Sequence, residues 1–421
     1  MNAEKRFLTT NLFPPMDSHE WQSVTPYPGA SPIFERTSDI LIQRSNGRRN
    51  CFGRWIAPAA DAITGGKAYL FSVKCLTFDL RHKHNNLYVM LTWHDGNGEL
   101  VQRDYIDGRD TANGVIFERV LNAPECSVSV FIELGFKWSE TGYVHWTCGK
   151  FHEVPAIVER KCRVASAYAD TPGGKERNLQ AILDVIDKAG ADKPDILCLG
   201  ETVLSAGVPF SEAAVTIDDP EVMKLRQKAK QYNMYIVVGL NLSEGDFYYN
   251  TAVLIDRLGE VCGIYRKIQL PLAEAESGYT PGDDSCVFET DFGKVGMMIC
   301  WDQGFSETAR RLNKNGAEII FVPTMWNAPL QARARAVENV SFVVSSARAY
   351  DGPAGEDGKV CFVVDPAGEM VASCKGGETN GYCIVDVELD KEYKSHWFSI
   401  GPCYGEHRPI MRNERRMDLY E

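Results

Sequence analysis

The sequence predicts two domains, an all-β sandwich followed by an α/β domain, and three observations carry that prediction. From about Ile40 to Val154, short runs rich in Val, Ile, Phe, Tyr and Thr alternate with turn signals, and no long amphipathic helix interrupts them. At Pro155-Ala156-Ile157-Val158-Glu159-Arg160-Lys161 the pattern changes. Beyond it, strands alternate with helices, the arrangement of an α/β protein with helix-covered sheets. A chain of 421 residues is long for one core, so two domains are also the default expectation. The boundary is placed to give a first domain over residues 1–158 and a second over 159–421.

In the first domain the candidate strands are Ile40–Gln43, Tyr69–Leu80, Leu87–Trp93, Val115–Leu121, Val128–Leu134 and Tyr143–Phe151. Turns such as Asp95-Gly96-Asn97-Gly98 and Asp107-Gly108 separate them. Short strands at this spacing predict an antiparallel sandwich of jelly-roll type. Residues 1–39, with repeated Pro, Ser and Asn, are expected to form a surface arm or an extra strand. Trp55, Trp93, Trp138 and Trp146 read either as a sugar-binding platform or as filling for the core or the interdomain seam, and the second reading is preferred.

In the second domain, strands are expected at Cys162–Tyr168, Asp195–Leu199, Tyr235–Leu240, Thr251–Ile255, Val295–Ile299, Glu318–Val322, Phe342–Ala347 and Cys361–Val364. Helices are expected at Lys175–Ala189, Glu221–Tyr232, Phe305–Asn315 and Pro329–Glu338. Periodicity alone does not choose between one doubly wound sheet and two facing sheets.

Bulk properties exclude several function classes. Hydrophobic residues make up 44% and charged residues 24% of the chain, as in an ordinary globular protein. A formal charge of −12 argues against a nucleic-acid-binding surface. No apolar run reaches the length of a membrane span and no signal-peptide core follows Met1, so a cytoplasmic, membrane-free protein is expected. The 13 cysteines show no paired spacing, which fits reduced thiols. His82 and His84 alternate on a candidate strand without further ligands, and Gly173-Gly174-Lys175 fits no phosphate loop. No metal and no cofactor are expected.

The chemistry centres on Gly296-Met297-Met298-Ile299-Cys300-Trp301-Asp302-Gln303-Gly304. Cys300 closes an apolar strand ahead of a helix start, where backbone N–H groups and the local dipole are expected to stabilise its thiolate. Any one cysteine is more often a buried structural residue. Two other segments change the balance. Asp195-Ile196-Leu197-Cys198-Leu199-Gly200-Glu201 is a strand running into a carboxylate, and Tyr265-Arg266-Lys267-Ile268 places a lysine within an extended apolar run.

Glu201, Lys267 and Cys300, in that order and each at or inside a strand, resemble the catalytic triad of the nitrilase superfamily of carbon–nitrogen hydrolases. Asn178-Leu179, the loop Tyr279-Thr280-Pro281-Gly282-Asp283, and Arg335-Ala336-Val337-Glu338-Asn339 resemble further family segments, so the likeness runs from about Arg160 to Glu421. The resemblance implies an αββα four-layer sandwich, no cofactor, and pairing of such sandwiches into a homodimer or higher homo-oligomer. It also implies roles. Cys300 is the expected nucleophile, and Glu201 the general base and then acid, its pKa raised by burial. Lys267 and the backbone N–H of Trp301 are expected to hold the oxyanion. A second glutamate is expected on the loop after the lysine; Glu274 is preferred to Glu276. Glu338 is expected as a buried supporting acid at a helix start.

Departures concern Gly200, where the family commonly has proline, Gln269, where it often has histidine, and the added N-terminal half. Trp301-Asp302 after the cysteine tilts the expectation from nitriles towards an amide or N-carbamoyl C–N bond in a small molecule. Trp301, Trp326, Asn327 and Tyr279 are the expected pocket residues, and Arg333 and Arg348 are candidates for a carboxylate clamp. The competing reading is a carbohydrate- or protein-binding module on a degenerate hydrolase scaffold, against which the intact Glu-Lys-Cys set argues.

Overall fold

A computed structural model of the chain describes residues 10–171, 173–348, 359–375, 380–394, 405–416 and 419; the start of the expected N-terminal arm, residues 1–9, lies outside them. The chain divides into two units, residues 1–158 with 392–421, and residues 159–391.

The first unit has two antiparallel sheets. One runs β1 (Gln22–Val24), β4 (Phe52–Pro58), β10 (Ser129–Lys137), β6 (Leu87–His94) and β7 (Leu100–Ile106). The other runs β2 (Ile33–Arg36), β3 (Leu41–Arg44), β11 (Tyr143–Val154), β5 (Ala68–Phe78), β9 (Gly114–Asn122) and β8 (Gly108–Thr111). Period-2 alternation explains their shared core. Trp55, Val89 and Leu91 from the first sheet join Phe71, Val73 and Trp146 from the second in one apolar cluster.

Trp55, Trp93 and Trp146 are buried. Each indole N–H has a partner: Ile42 O at 3.3 Å, Asp104 Oδ2 at 2.7 Å and Gln43 Oε1 at 2.8 Å respectively. Trp138 is instead exposed, with Lys137 Nζ 4.5 Å from its ring centre. His82 and His84 do not alternate on a strand: His84 lies in the short helix α1 (Lys83–Asn86), which His82 precedes, and its Nε2 is 3.0 Å from Asp110 Oδ1.

Residues 392–421 were expected with the second domain, and contacts place them with the first unit. The reason lies in helix α8 (His407–Asn413) and its flanks. Arg412 and Asn413 donate to Asp107 at 2.9 and 3.0 Å, Arg119 donates to Glu406 at 2.6 Å, and Ile410 packs with Tyr88, Met90 and Tyr105.

The second unit contains two mixed sheets. The first has the order β16 (Val261–Arg266), β15 (Phe247–Ile255), β14 (Tyr235–Glu244), β13 (Ile196–Cys198), β12 (Lys161–Ala169) and β23 (Asn380–Glu388), with β12, β13 and β14 parallel. The second has the order β17 (Val287–Glu289), β18 (Lys294–Met297), β19 (Ile319–Thr324), β20 (Phe342–Ala347), β21 (Lys359–Val364) and β22 (Met370–Lys375), with β18, β19 and β20 parallel.

Helices α2 (Lys175–Gly190) and α4 (Pro220–Tyr232) bury Leu179, Ile182, Ile186, Val222 and Leu225 on the outer face of the first sheet. Helices α6 (Ser306–Lys314) and α7 (Pro329–Asn339) bury Ala309, Leu312, Ala332 and Ala336 on the second. The sheets meet through their inner faces, where Ser166 Oγ donates to Ser345 O at 2.7 Å and Ser346 Oγ donates to Ala167 O. This is the expected αββα layering. Short helices α3 (Phe210–Ala213) and α5 (Leu272–Glu276) lie in loops. Among the described residues no helix is long and apolar enough to cross a membrane.

Candidate active site

Glu201 follows β13, Lys267 follows β16, and Cys300 opens a 3-10 turn over Cys300–Gly304 just after β18. The fold therefore gathers strand ends from both facing sheets. Lys267 is buried, and its Nζ donates to Glu201 Oε1 at 2.8 Å and Glu274 Oε1 at 2.6 Å. Glu276 is exposed. Asn250, on β15, donates from Nδ2 to Glu201 Oε1 at 2.8 Å and to Glu274 Oε2 at 3.4 Å. The other oxygen of Glu201, Oε2, is buried and has no hydrogen-bond partner among the described residues. An unpartnered buried acceptor is costly, by about 1–3 kcal/mol, and so marks a place where a donor is received.

Two residues here hold left-handed backbone, Thr202 (φ 43°) after the glutamate and Cys300 (φ 41°) itself. Such conformations at non-glycine residues cost on the order of 1–3 kcal/mol each and persist where the surroundings fix them. At the first, Arg348 donates to Thr202 O at 2.9 Å, and Asn178, buried on α2, holds the residues that follow by donating to Leu204 O at 3.0 Å and Ala206 O at 2.9 Å. Asp302 fixes the second. Fully buried, it accepts from Ile299 N at 2.8 Å, Gln269 N at 2.9 Å and the Tyr265 hydroxyl at 2.7 Å. It thus ties the cysteine turn to the lysine segment across the two sheets. Gln269 supplies only a backbone N–H to this knot, so the absence of histidine there leaves it intact. Gly200 is needed for close approach, since a Cβ would lie 2.9 Å from the Arg348 backbone.

Electrostatics correct one expectation. Burial pushes the Cys300 thiol up to about 11, and the Glu201 charge adds to this; Lys267 and hydrogen bonds from Thr324 and the Met325 backbone oppose it only in part. The balance favours the protonated thiol over the stabilised thiolate expected from its place ahead of a helix. Desolvation by the surrounding sheets outweighs the few N–H groups of a five-residue turn. For Lys267 burial acts downward, but Glu201, Cys300 and Glu274 outweigh it and hold the ammonium above its ordinary value. Glu274 is raised by burial, with Lys267 opposing.

The remaining expected residues divide. Burial, then the charges of Glu274 and Glu201, raises the Tyr279 hydroxyl above its ordinary value. Its ring packs on Phe210 at 4.8 Å. Trp301 and Trp326 are about half exposed and follow, respectively, Cys300 and its hydrogen-bond partner Met325. Asn327 Oδ1 accepts from Ser345 Oγ at 2.8 Å. Arg348 donates to Thr202 O at 2.9 Å and to Ser205 Oγ at 2.5 Å, so it holds the loop after Glu201. Arg333 lies on α7 with its Nε buried.

Glu338 is neither at a helix start nor fully buried. Helix α7 begins at Pro329, whose fixed φ suits a first turn, and ends at left-handed Val340. Glu338 thus falls in the last turn, pairing with Arg335 at 2.8 Å and Arg310 at 3.8 Å. Arg335 also donates to Gln303 O at 2.9 Å, bracing the cysteine turn. Sequence reading missed Asn250 and the bracing roles of Asp302 and Arg335.

Known proteins resemble this half of the chain. The carbon–nitrogen hydrolase family model matches residues 163–395. An omega-amidase NIT2 from Xenopus tropicalis is 30% identical over 270 residues, 58% of this chain and 92% of that protein. An N-carbamoylputrescine amidase from Solanum tuberosum is 28% identical over 239 residues, 50% of this chain and 75% of that protein. In structure, a mutant of the Nesterenkonia AN1 amidase from the nitrilase superfamily aligns with a TM-score of 0.50 at 26% identity, covering 62% of this chain and 96% of that one. A sequence match across more than half of the 421 residues, with the facing mixed sheets beneath it, places the chain among the carbon–nitrogen hydrolases of the nitrilase superfamily.

Proposed function

We propose that this enzyme hydrolyses the C–N bond of a small linear amide or N-carbamoyl compound through a thioester on Cys300. The observation that carries the reading is Glu201, with one oxygen held by Lys267 and Asn250, the other buried and unpartnered, and its charge acting on the Cys300 thiol. Glu201 takes the thiol proton as Cys300 Sγ attacks the carbonyl carbon. The tetrahedral oxygen is stabilised by Lys267 and the Trp301 backbone N–H. Collapse breaks the C–N bond, and Glu201 returns the proton to the departing ammonia or amine. Water then gives a proton to Glu201 and attacks the thioester, releasing the acid and restoring the thiol. Glu274 keeps Lys267 charged and aimed. The raised thiol fits this route, because proton transfer to a carboxylate is needed only if the cysteine rests protonated.

Trp301, Trp326, Asn327 and Tyr279 line the substrate pocket in this reading. Names among the relatives, omega-amidase and N-carbamoylputrescine amidase, support the amide and carbamoyl classes, beside one named as a probable nitrilase. The first unit serves as an accessory domain of jelly-roll type, and the enzyme works in the cytoplasm as a homodimer or larger homo-oligomer. The test is ammonia release from ω-amides, N-carbamoyl amino acids, N-carbamoyl amines and nitriles, with Cys300→Ala alongside. Turnover of an amide or carbamoyl compound that disappears in the variant is expected. Turnover of nitriles alone, or none of any compound, would overturn the reading.

A further inference from the structure

Three cysteines meet on β21, β22 and β23, strands that carry none of the candidate catalytic residues. Cys361 and Cys374 are direct partners across the antiparallel ladder of β21 and β22. Cys383 lies on β23, the edge strand of the facing sheet. The Cys361 thiol is within hydrogen-bond reach of both Cys374 and Cys383, and no disulfide joins the three. Cys361 and Cys383 are buried, while Cys374 is only partly covered. The Cys374 sulfur comes close over Gly381 of β23; a Cβ there would stand 3.1 Å from it, so the side chain turns in towards the facing sheet. Small apolar packing accounts for buried cysteines one at a time. It does not account for one thiol within hydrogen-bond reach of two others.

We propose that Cys361 and Cys374 form a reversible disulfide by exchange with a low-molecular-weight disulfide, a modification site separate from Cys300. Antiparallel ladder partners have Cα atoms roughly 4.5–5.5 Å apart, inside the range a disulfide spans. Cys374, the solvent-accessible member, loses its proton and attacks one sulfur of RSSR; the first RS leaves and takes up that proton as RSH. Cys361 then attacks the Cys374 sulfur of the mixed disulfide, and the second RS leaves with the Cys361 proton. Two protein thiols are oxidised and one RSSR is reduced to two RSH. Burial holds the Cys361 thiol well above its ordinary value, so the second step is slow, on the scale of minutes to hours.

The test uses the full chain, incubated natively with oxidised glutathione, alkylated, digested and mapped by mass spectrometry. A peptide pair linked through Cys361 and Cys374 is expected, reversed by dithiothreitol, with Cys383 still alkylatable after unfolding. Cys374→Ser should abolish the link and leave Cys361 unmodified. Exposed Cys126 and Cys148 report that the reagent is active. A stable glutathione adduct at Cys374 with no link, a link to Cys383 instead, or no change at Cys374 while Cys126 and Cys148 react would each overturn the proposal.

Discussion

Lys267 owes its charge to its neighbours. A lysine this buried is expected to lose its proton, yet two carboxylates within 2.8 Å reverse that tendency. Removing one of them should tell. Glu274→Gln is predicted to lower kcat by roughly 100-fold, whereas Glu276→Gln, at an exposed position, should leave it unchanged; steady-state kinetics of both variants decide. Cys300 makes a second prediction at this scale. With its thiol pushed up to about 11, the thiolate fraction rises about tenfold per pH unit from neutrality to that value. The rate of iodoacetamide labelling at Cys300, followed by peptide mapping, should therefore climb to about pH 11. The folded thiol keeps its proton to a higher pH than the unfolded one, so this group's contribution to stability is present at neutral pH and lost as pH rises through 11. A labelling plateau at pH 7 would mean a preformed thiolate.

Elements place these residues, and here sequence was informative in some parts and silent in others. Strands β13 and β19 are buried throughout, and β18 is buried from Val295 onward, so their existence, and hence the positions of Glu201 and Cys300 near their ends, could be read from apolar runs. Lys267 was legible for the same reason, as a charge in an apolar run. Asn250 was not, because what brings it to Glu201 is the register of β15 against β14, which pairs it with Asn241. Asp302 was read only as a hint of substrate class; its contacts with Tyr265 and Gln269 cross between sheets that are distant in sequence. Glu338 was assigned to a helix start by its likeness to a family segment, although the helix expected from Pro329 already ends on it, and the structure puts it in that helix's last turn. Asp302→Ala would leave the N–H groups of Ile299 and Gln269 and the Tyr265 hydroxyl without their buried acceptor. It is predicted to cost about 3 kcal/mol in denaturant unfolding and to depress kcat as Cys300 loses its fixed turn. Unchanged stability would remove Asp302 from the knot.

On the scale of the whole molecule, each unit closes a core of its own. The change of pattern near Pro155 was visible in sequence as a change of period. The return of residues 392–421 to the first unit was not, because it rests on side-chain pairs such as Arg412 with Asp107, which no local pattern encodes. Trp93→Ala, which hollows the first core, is predicted to cost about 3–5 kcal/mol and to leave kcat unchanged below the unfolding transition. A fall in kcat without unfolding would mean that the first unit shapes catalysis directly. The central claim, a thioester on Cys300, is tested most directly by acid-quenching the enzyme during turnover of an amide or carbamoyl substrate and weighing its peptides. An acyl or carbamoyl increment is predicted on the Cys300 peptide, lost in Cys300→Ala together with turnover; an unmodified Cys300, with turnover retained in Cys300→Ala, would contradict it.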